Sequence, residues 1–330
     1  MIPPPLSSAT GSPSEASPKG TLLFPTYNFP PLGRGGALMK YHIARVLAEL
    51  GWTLEVLTTD IPRGTLIRQV ADTSIAKEPV VGMNIHRCRA TGLGLPGELL
   101  YLAGVWVCPQ YPWARAWRKN LDRVPPGSAV LASFPPASNL ILGEWLSDEL
   151  ECPLFLDFRD EFSGTQSAEK GKRWLQKARD LETRVVTKAV CSFVTSETVA
   201  EHLRARYGLA EERVVVVENG IFAPQEEADR VSEARFARPK QGNDPLRLLW
   251  LGTLSQHQKP STLLEGFRLW QERNSGQGRE AKLTLVCHSS LYFQRKIKPL
   301  LGRGIEWIPF VPRDRIPELV AGADIGCLSL

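Results

Sequence analysis

The sequence predicts an α/β protein built as two doubly wound parallel-sheet domains in tandem, and three observations carry that expectation. The chain has 330 residues, 43% of them of hydrophobic type, which is more than one compact domain needs. Short apolar runs alternate with amphipathic stretches along its length, the pattern of parallel strands joined by helices on both sheet faces. Between two series of such runs lies APQEEADRVSEARFARPKQGNDP, Ala223 to Pro245, polar and without an apolar period, which reads as a linker. The expected division is a tail at 1–20, a first domain at 21–222, the linker at 223–245 and a second domain at 246–330.

The tail, MIPPPLSSATGSPSEASPKG, is rich in Pro and Ser, with neither a basic n-region nor an apolar h-region, and is expected to be disordered rather than a signal peptide. Strands are then expected at Thr21–Pro25, Thr53–Thr58, Val80–His86, Ala129–Ser133, Pro153–Phe158, Val190–Thr195 and Val214–Glu218, each a short apolar run. A second series follows at Leu246–Gly252, Lys282–Cys287, Ile305–Phe310 and Ala323–Leu328. Helical periods fill the gaps at Ala37–Leu50, Asn139–Glu149, Ala168–Thr187, Glu197–Tyr207, Thr262–Asn274, Leu291–Lys298 and Ile316–Ala321. No solenoid-type repeat is present.

Forty Lys and Arg against 35 Asp and Glu give a formal net charge of +5, too dispersed to predict a nucleic-acid partner. Six cysteines lie far apart with no C-x-x-C, as expected of reduced thiols in a cytoplasmic protein. None of the five histidines has metal-ligand spacing and no D-x-D occurs, so no metal and no cofactor are expected. The longest apolar stretch, Leu99 to Cys108, is too short to span a bilayer.

The stretch LLFPTYNFPPLGRGGALMKYHIARVLAELGW, Leu22 to Trp52, places Gly33, Gly35 and Gly36 between the first strand and the first long helix. A turn there lies at the carboxyl edge of a parallel sheet, where α/β proteins bind ligands, and the helix N-terminus favours an anion. It is neither G-x-G-x-x-G nor a Walker sequence, and a tight turn alone would also use these glycines.

Taken together the motifs are more specific. FPPLGRGGALMKYHIARVLAELGWTLEVLT resembles the opening of the N-terminal domain of GT4-type glycosyltransferases of the GT-B fold. ASFPPASNLILGEWLSDELECPLFLDFRDEFSG resembles that family's S-x-P-P-x-S and D-x-R-D-x-[WF] segments. ARDLETRVVTKAVCSFVTSETVAEHLRARYG with RVVVVENGIF, and then LRLLWLGTLSQHQKPSTLLEGFRLW, follow in the family's order. The resemblance runs from about Leu22 to Leu330. It implies transfer, with retention, of a sugar from a nucleotide-sugar donor to a glycan or lipid-linked acceptor in surface-polysaccharide assembly.

By that resemblance Gly33, Gly35 and Gly36 face donor phosphates and acceptor, and Lys259 holds the diphosphate, where fixed positive charge answers the leaving group. A solvated loop lysine is the plainer reading of Lys259. Where the family often has an additional cation before this lysine, the chain has Thr253. In LDFRDEF, Asp157, Arg159 and Asp160 stand at a strand end and invite a catalytic, acceptor-binding role. An internal salt bridge fixing the loop is an equal reading, and the two are compatible. Glu182, on the long helix, is expected to hold contacts between elements, and Asn219–Gly220 to form a tight turn.

Between Leu99 and Leu121, Trp106, Trp113, Trp117, Tyr101 and Tyr111 interleave with Arg115, Arg118 and Lys119. That pattern suits a peripheral contact with the inner face of a membrane; a helix lining the first domain's cleft is the favoured alternative. The second domain stops at ADIGCLSL after four expected strands and three helices. The family's E-x7-E pair and last helix would follow there. The expectation is an incomplete donor domain whose open sheet edge self-associates. A fragment that binds acceptor without turnover and, more remotely, a nucleotide-binding oxidoreductase are the rival functions.

Overall fold

The computed structural model describes residues 19–32, 35–60, 71–72, 80–89, 95–164, 171–220, 229, 232–233, 244–252, 260–274, 280–289 and 292–328. The chain forms two compact units, Met1–Gly220 and Ile221–Leu330. The expected linker falls largely outside the described residues.

The first unit is a seven-stranded, wholly parallel sheet. Its strands are β1 (Gly20–Pro25), β2 (Trp52–Thr59), β3 (Met83–Cys88), β4 (Ala129–Phe134), β5 (Leu154–Phe158), β6 (Cys191–Val194) and β7 (Val214–Val216), in spatial order β3-β2-β1-β4-β5-β6-β7. Helices α1 (Gly35–Glu49), α2 (Leu95–Leu102), α3 (Tyr111–Arg118), α4 (Ala137–Glu149), α5 (Lys172–Lys188) and α6 (Glu197–Tyr207) join them. The sheet is buried on both faces, so its central strands read as continuous apolar runs. Alternate residues feed two separate cores: Leu22, Phe24, Leu54 and Val56 pack on the α1 side, while Leu23, Leu57, Val130 and Ala132 meet α3, α4 and α5. Each such buried Leu, Val or Phe side chain contributes roughly 1.5–3 kcal/mol.

Local chemistry explains the helix ends and approaches. Ser196 caps α6 by accepting from the Val199 N–H, and Gly208 ends that helix in the left-handed region at φ 61°. Gly143 lets α4 lie directly on β4, since a Cβ there would come within 2.5 Å of Ala132 Cβ. The segment Leu99–Leu121, for which a helix was the favoured reading, holds the end of α2 and all of α3, with a break between them. Within that aromatic segment Trp113 and Trp117 are buried in the core, and the Arg118 guanidinium lies 4.7 Å from the Trp145 ring centroid.

The second unit has a four-stranded parallel sheet in the order β10-β9-β8-β11. Its elements are β8 (Leu246–Leu251), α7 (Ser261–Arg273), β9 (Ala281–Val286), β10 (Ile305–Ile308), α8 (Ile316–Gly322) and β11 (Ile325–Cys327). The helix expected at Leu291–Lys298 is a single π turn, Phe293–Ile297, running into a 3-10 turn at Lys298–Leu300. Trp250, Leu283, Leu285, Phe267 and Phe293 fill the core on one face.

Glu182 ties three elements of the first unit together. Its buried carboxylate accepts from the Ser163 hydroxyl after β5 and from the Tyr207 hydroxyl at 2.6 Å, with Arg206 Nη1 at 3.4 Å on α6. Burial, reinforced by that carboxylate, pushes the Tyr207 phenol up to about 12. Removing the carboxylate takes the acceptor from the buried Ser163 hydroxyl and the half-buried Tyr207 hydroxyl and leaves Arg206 without this buried counter-charge, so Glu182→Ala is expected to lower unfolding stability by about 2–4 kcal/mol. Urea denaturation checks this; a midpoint like the parent's would show that the network stabilises nothing.

Candidate functional site

The strand order reverses at β1: the chain runs outward through β2 and β3, then crosses to β4 on the other side. The crevice outside the carboxyl ends of β1 and β4 is the place where such sheets bind ligands. Asn139 of α4 staples its walls, accepting from the Tyr27 N–H at 2.9 Å and donating to the Ser133 carbonyl at 2.6 Å. Arg87, at the end of β3, donates to the Thr59 and Pro30 carbonyls and holds the loop after β1. Peptide bonds Pro30-Pro31, Phe134-Pro135 and Pro135-Pro136 are cis in these two loops.

Into this crevice the structure brings three of the sequence-predicted residues and one that the sequence reading missed. Asp157, on β5, is buried; its Oδ2 accepts from Ser133 Oγ at 2.7 Å, and its Oδ1 stands 2.5 Å from Arg159 Nη2 as an ion pair. Arg159 also donates through Nη1 to the Val217 carbonyl and Asn219 Oδ1, both at 3.3 Å, tying the end of β5 to the exit from β7. The salt-bridge reading of this motif is therefore present in the structure. Asp160 differs from its neighbours in opening to solvent. Protein crowding on its inner side nonetheless holds its carboxyl above the ordinary range, against the pull of Lys40.

Lys40 is the missed residue. It sits in the second turn of α1, 2% exposed, with its ammonium donating to the Pro135 carbonyl. Burial brings its pKa down to about 7, while Asp157 and then Asp160 oppose that fall. A lysine inside an amphipathic helix usually reads as solvated. The available signal was its spacing, one turn beyond Gly36 on the same helical face.

Gly36 is exposed, and a Cβ built on it would meet no heavy atom within 4 Å. Gly35 opens α1, whose first-turn N–H groups lack helical partners and favour an anion. Gly33 and Lys259 lie outside the described residues, and the structure gives no account of them. An amine that titrates near neutrality, buried in the field of Asp157 and Asp160, sets the charge at this edge of the sheet, where Asp160 is the carboxylate open to solvent.

In the second unit the carboxyl end of β9 carries Cys287 and His288. The Cys287 thiol is pushed up to about 11 by burial, and the His288 ring stacks on Phe310 at 5.5 Å. A cleft of about 500 Å³ opens on the sheet face opposite the core, lined by Arg247, Lys282, Thr284, Glu306 and Glu318. These residues come from the amino halves of the strands and from α8, away from the carboxyl edge. Among the described residues no group of three or more His, Cys, Asp or Glu is arranged to hold a metal ion. None of the described helices is long and apolar enough to cross a membrane.

Residues 34–220 match the family model described as "Glycosyl transferase 4-like domain", more than half of the chain. No curated protein sequence matches. Among solved structures, the chain is similar to sucrose-phosphate synthase from Thermosynechococcus elongatus, with a TM-score of 0.63 at 14% identity, covering 93% of this chain and 74% of that one. An E. coli structure described as trehalose-6-phosphate bound with UDP-2-fluoro glucose gives a TM-score of 0.59 at 9% identity, covering 93% and 78%. Anabaena HepE in complex with UDP and glucose gives 0.55 at 16%, covering 93% and 73%. Likeness at such identity speaks for the fold alone, an α/β chain of GT-B type with two parallel-sheet units.

The state of Lys40 can be read from stability. Its folded pKa near 7 lies below the unfolded value of 10.5, so between them the unfolded chain binds a proton that the folded chain does not. Stability therefore rises with pH across that window. Lys40→Met is expected to flatten the rise, measured as urea midpoints over the same range. Equal slopes in both proteins would mean that Lys40 stays charged when folded.

Proposed function

Because the chain belongs to the glycosyl transferase 4-like family, we propose that it moves a sugar from a nucleotide-sugar donor to a glycan or lipid-linked acceptor held at the switch-point crevice. The observation that carries this reading is the meeting of Lys40, Asp157 and Asp160 at the carboxyl edge of the first sheet. An acceptor hydroxyl becomes a better nucleophile as its proton is drawn away, and it attacks only from a fixed position. Asp160, open to solvent and raised in pKa, is assigned contact with that hydroxyl. Lys40 sets the field around it and exchanges charge with it near neutral pH. Asp157 and Arg159, engaged with each other and with Ser133, are positioning residues.

Nucleotide-sugar use is supported by the ligands of similar structures, among them UDP with glucose in HepE. By the family resemblance, Gly33, Gly35, Gly36 and Lys259 are assigned to the donor's diphosphate. Those cationic and amide donors would stand in for a divalent ion at the leaving group. Retention of configuration rests on the family resemblance. The reaction uses no bound cofactor, the nucleotide sugar being a substrate.

Calorimetric titration with UDP-, GDP- and ADP-sugars is expected to identify one preferred donor. Asp160→Asn should then lower kcat/KM for transfer by at least about a hundredfold, the lower end of what a positioned acid or base contributes, without changing the donor Kd. Gly36→Val should abolish transfer in a chain that still folds, because the branched side chain occupies open space needed by ligand. Lys259→Ala should weaken donor binding and spare acceptor binding. Full activity of Asp160→Asn, or no binding of any nucleotide sugar, overturns the assignment.

A further inference from the structure

The loop after β5 carries Asp160 between two residues that are each tied to a different element. Arg159 is anchored on Asp157 and on the exit from β7. Glu161 turns to α6, where its Oε1 stands 3.5 Å from Arg206 Nη2 and 3.6 Å from His202 Nδ1. Those two α6 residues lie one turn apart and share a helix face. Next in the loop, Phe162 is buried against Phe134, with ring centroids 4.7 Å apart. The Ser163 N–H and hydroxyl then both reach the Glu182 carboxylate.

Arg206 joins these contacts into one clamp. Its Nη1 donates to Ser163 Oγ at 3.1 Å and lies 3.4 Å from Glu182 Oε2, while Nη2 faces Glu161. A guanidinium bridges the loop and α5 in this way because its donors form a rigid planar fork, whereas a lysine offers a single point charge. Gly164 supplies the room. A Cβ there would lie 1.9 Å from Glu161 Oε1 and 2.3 Å from its Cδ, so a side chain at this position has to push the carboxylate aside. The φ of Gly164 lies outside the left-handed region, so space rather than backbone conformation calls for the glycine.

We propose that Arg206 and Gly164, acting through Glu161, are positioning residues that fix Asp160 in the crevice. The proposal rests on the transferase role assigned to Asp160. Held on both sides, the backbone at Asp160 sets where its exposed carboxylate reaches. A displacement on the order of 1 Å at such a group can cost about a hundredfold in rate. Arg206 also serves Glu182 and so contributes to stability, but the space over Gly164 belongs to Glu161. Stability and positioning are therefore separable by mutation.

Three variants test the clamp. Glu161→Gln removes the charge at nearly constant shape, Gly164→Ala displaces the carboxylate at constant charge, and Arg206→Lys removes the fork. Each is expected to lower kcat for transfer about tenfold with the donor Kd unchanged. Urea midpoints of Glu161→Gln and Gly164→Ala should match the parent's. Because those two act on one carboxylate, the double variant should lose no more than the larger single loss. Parent-like kcat in both single variants overturns the proposal, and so do additive losses in the double variant or losses that track the urea midpoints. Hydrogen exchange of the amides of residues 159–163 is read without turnover. It should quicken in all three variants while β1 and α1 stay as in the parent, and unchanged exchange overturns the clamp whatever the activity. A parent chain that transfers no sugar counts against the transferase reading, and the exchange result then decides the clamp by itself.

Discussion

Burying the amine of Lys40 is the constraint on which the rest of the first unit's edge depends. An ammonium removed from water is costly unless it finds a hydrogen-bond acceptor and opposite charge, and otherwise it sheds its proton. Here one carbonyl, that of Pro135, receives it directly, while Asp157 and Asp160 act through the field. The balance leaves the group poised near neutrality. Everything that fixes those partners therefore fixes the charge of the crevice. Asn139 sets where β4 ends, Ser133 and Arg159 immobilise Asp157, and Arg159 is anchored in turn on Val217 and Asn219.

This arrangement explains why a motif can be both a salt bridge and part of a site. Asp157 has its oxygens committed inward, one to the Ser133 hydroxyl and one to the Arg159 guanidinium. Asp160, three residues on, has left the strand and is crowded on one side only. Two carboxylates in one short segment thus take different places, one held inward to fix geometry and the other open to solvent and raised in pKa by its surroundings.

Most of the fold was legible in the sequence because strands buried on both faces leave apolar runs that helices interrupt. Leu22–Phe24, Val130–Ala132 and Leu154–Phe158 needed no tertiary knowledge. Helices α2 and α3 were legible only as one helical segment without bounds. Pro96 and Gly97 stand in the first turn of α2, and α3 is two turns whose tryptophans read as a membrane pattern until Trp113 and Trp117 are seen in the core. The charged residues of LDFRDEF were visible as a cluster, but not their division of labour. Arg159 reaches carbonyl and amide oxygens 58 and 60 residues away, and Lys40 meets a carbonyl 95 residues away. Sequence periodicity carries no information on such pairings. Spacing put Lys40 on the face of Gly36; only folding put an acceptor and two carboxylates in front of it.

The two units also differ in what their sheets can do at the carboxyl edge. In the first, chain reversal at β1 opens a crevice whose walls are cross-stapled by side chains. In the second, Trp307 Nε1 donates to the Cys287 carbonyl and Phe310 covers His288, so side chains occupy the end of β9 where a glycine-rich turn would leave room. That strand end presents an exposed imidazole stacked on an aromatic ring, with the Cys287 thiol buried beneath, rather than bare backbone. Backbone amides bind phosphate by close approach, whereas a stacked imidazole offers a flat face and, when protonated, a charge. Under the proposed transferase reading, recognition at this strand end draws on the flat faces of His288 and Phe310 more than on a backbone cradle, while the fixed charges lie in the first unit.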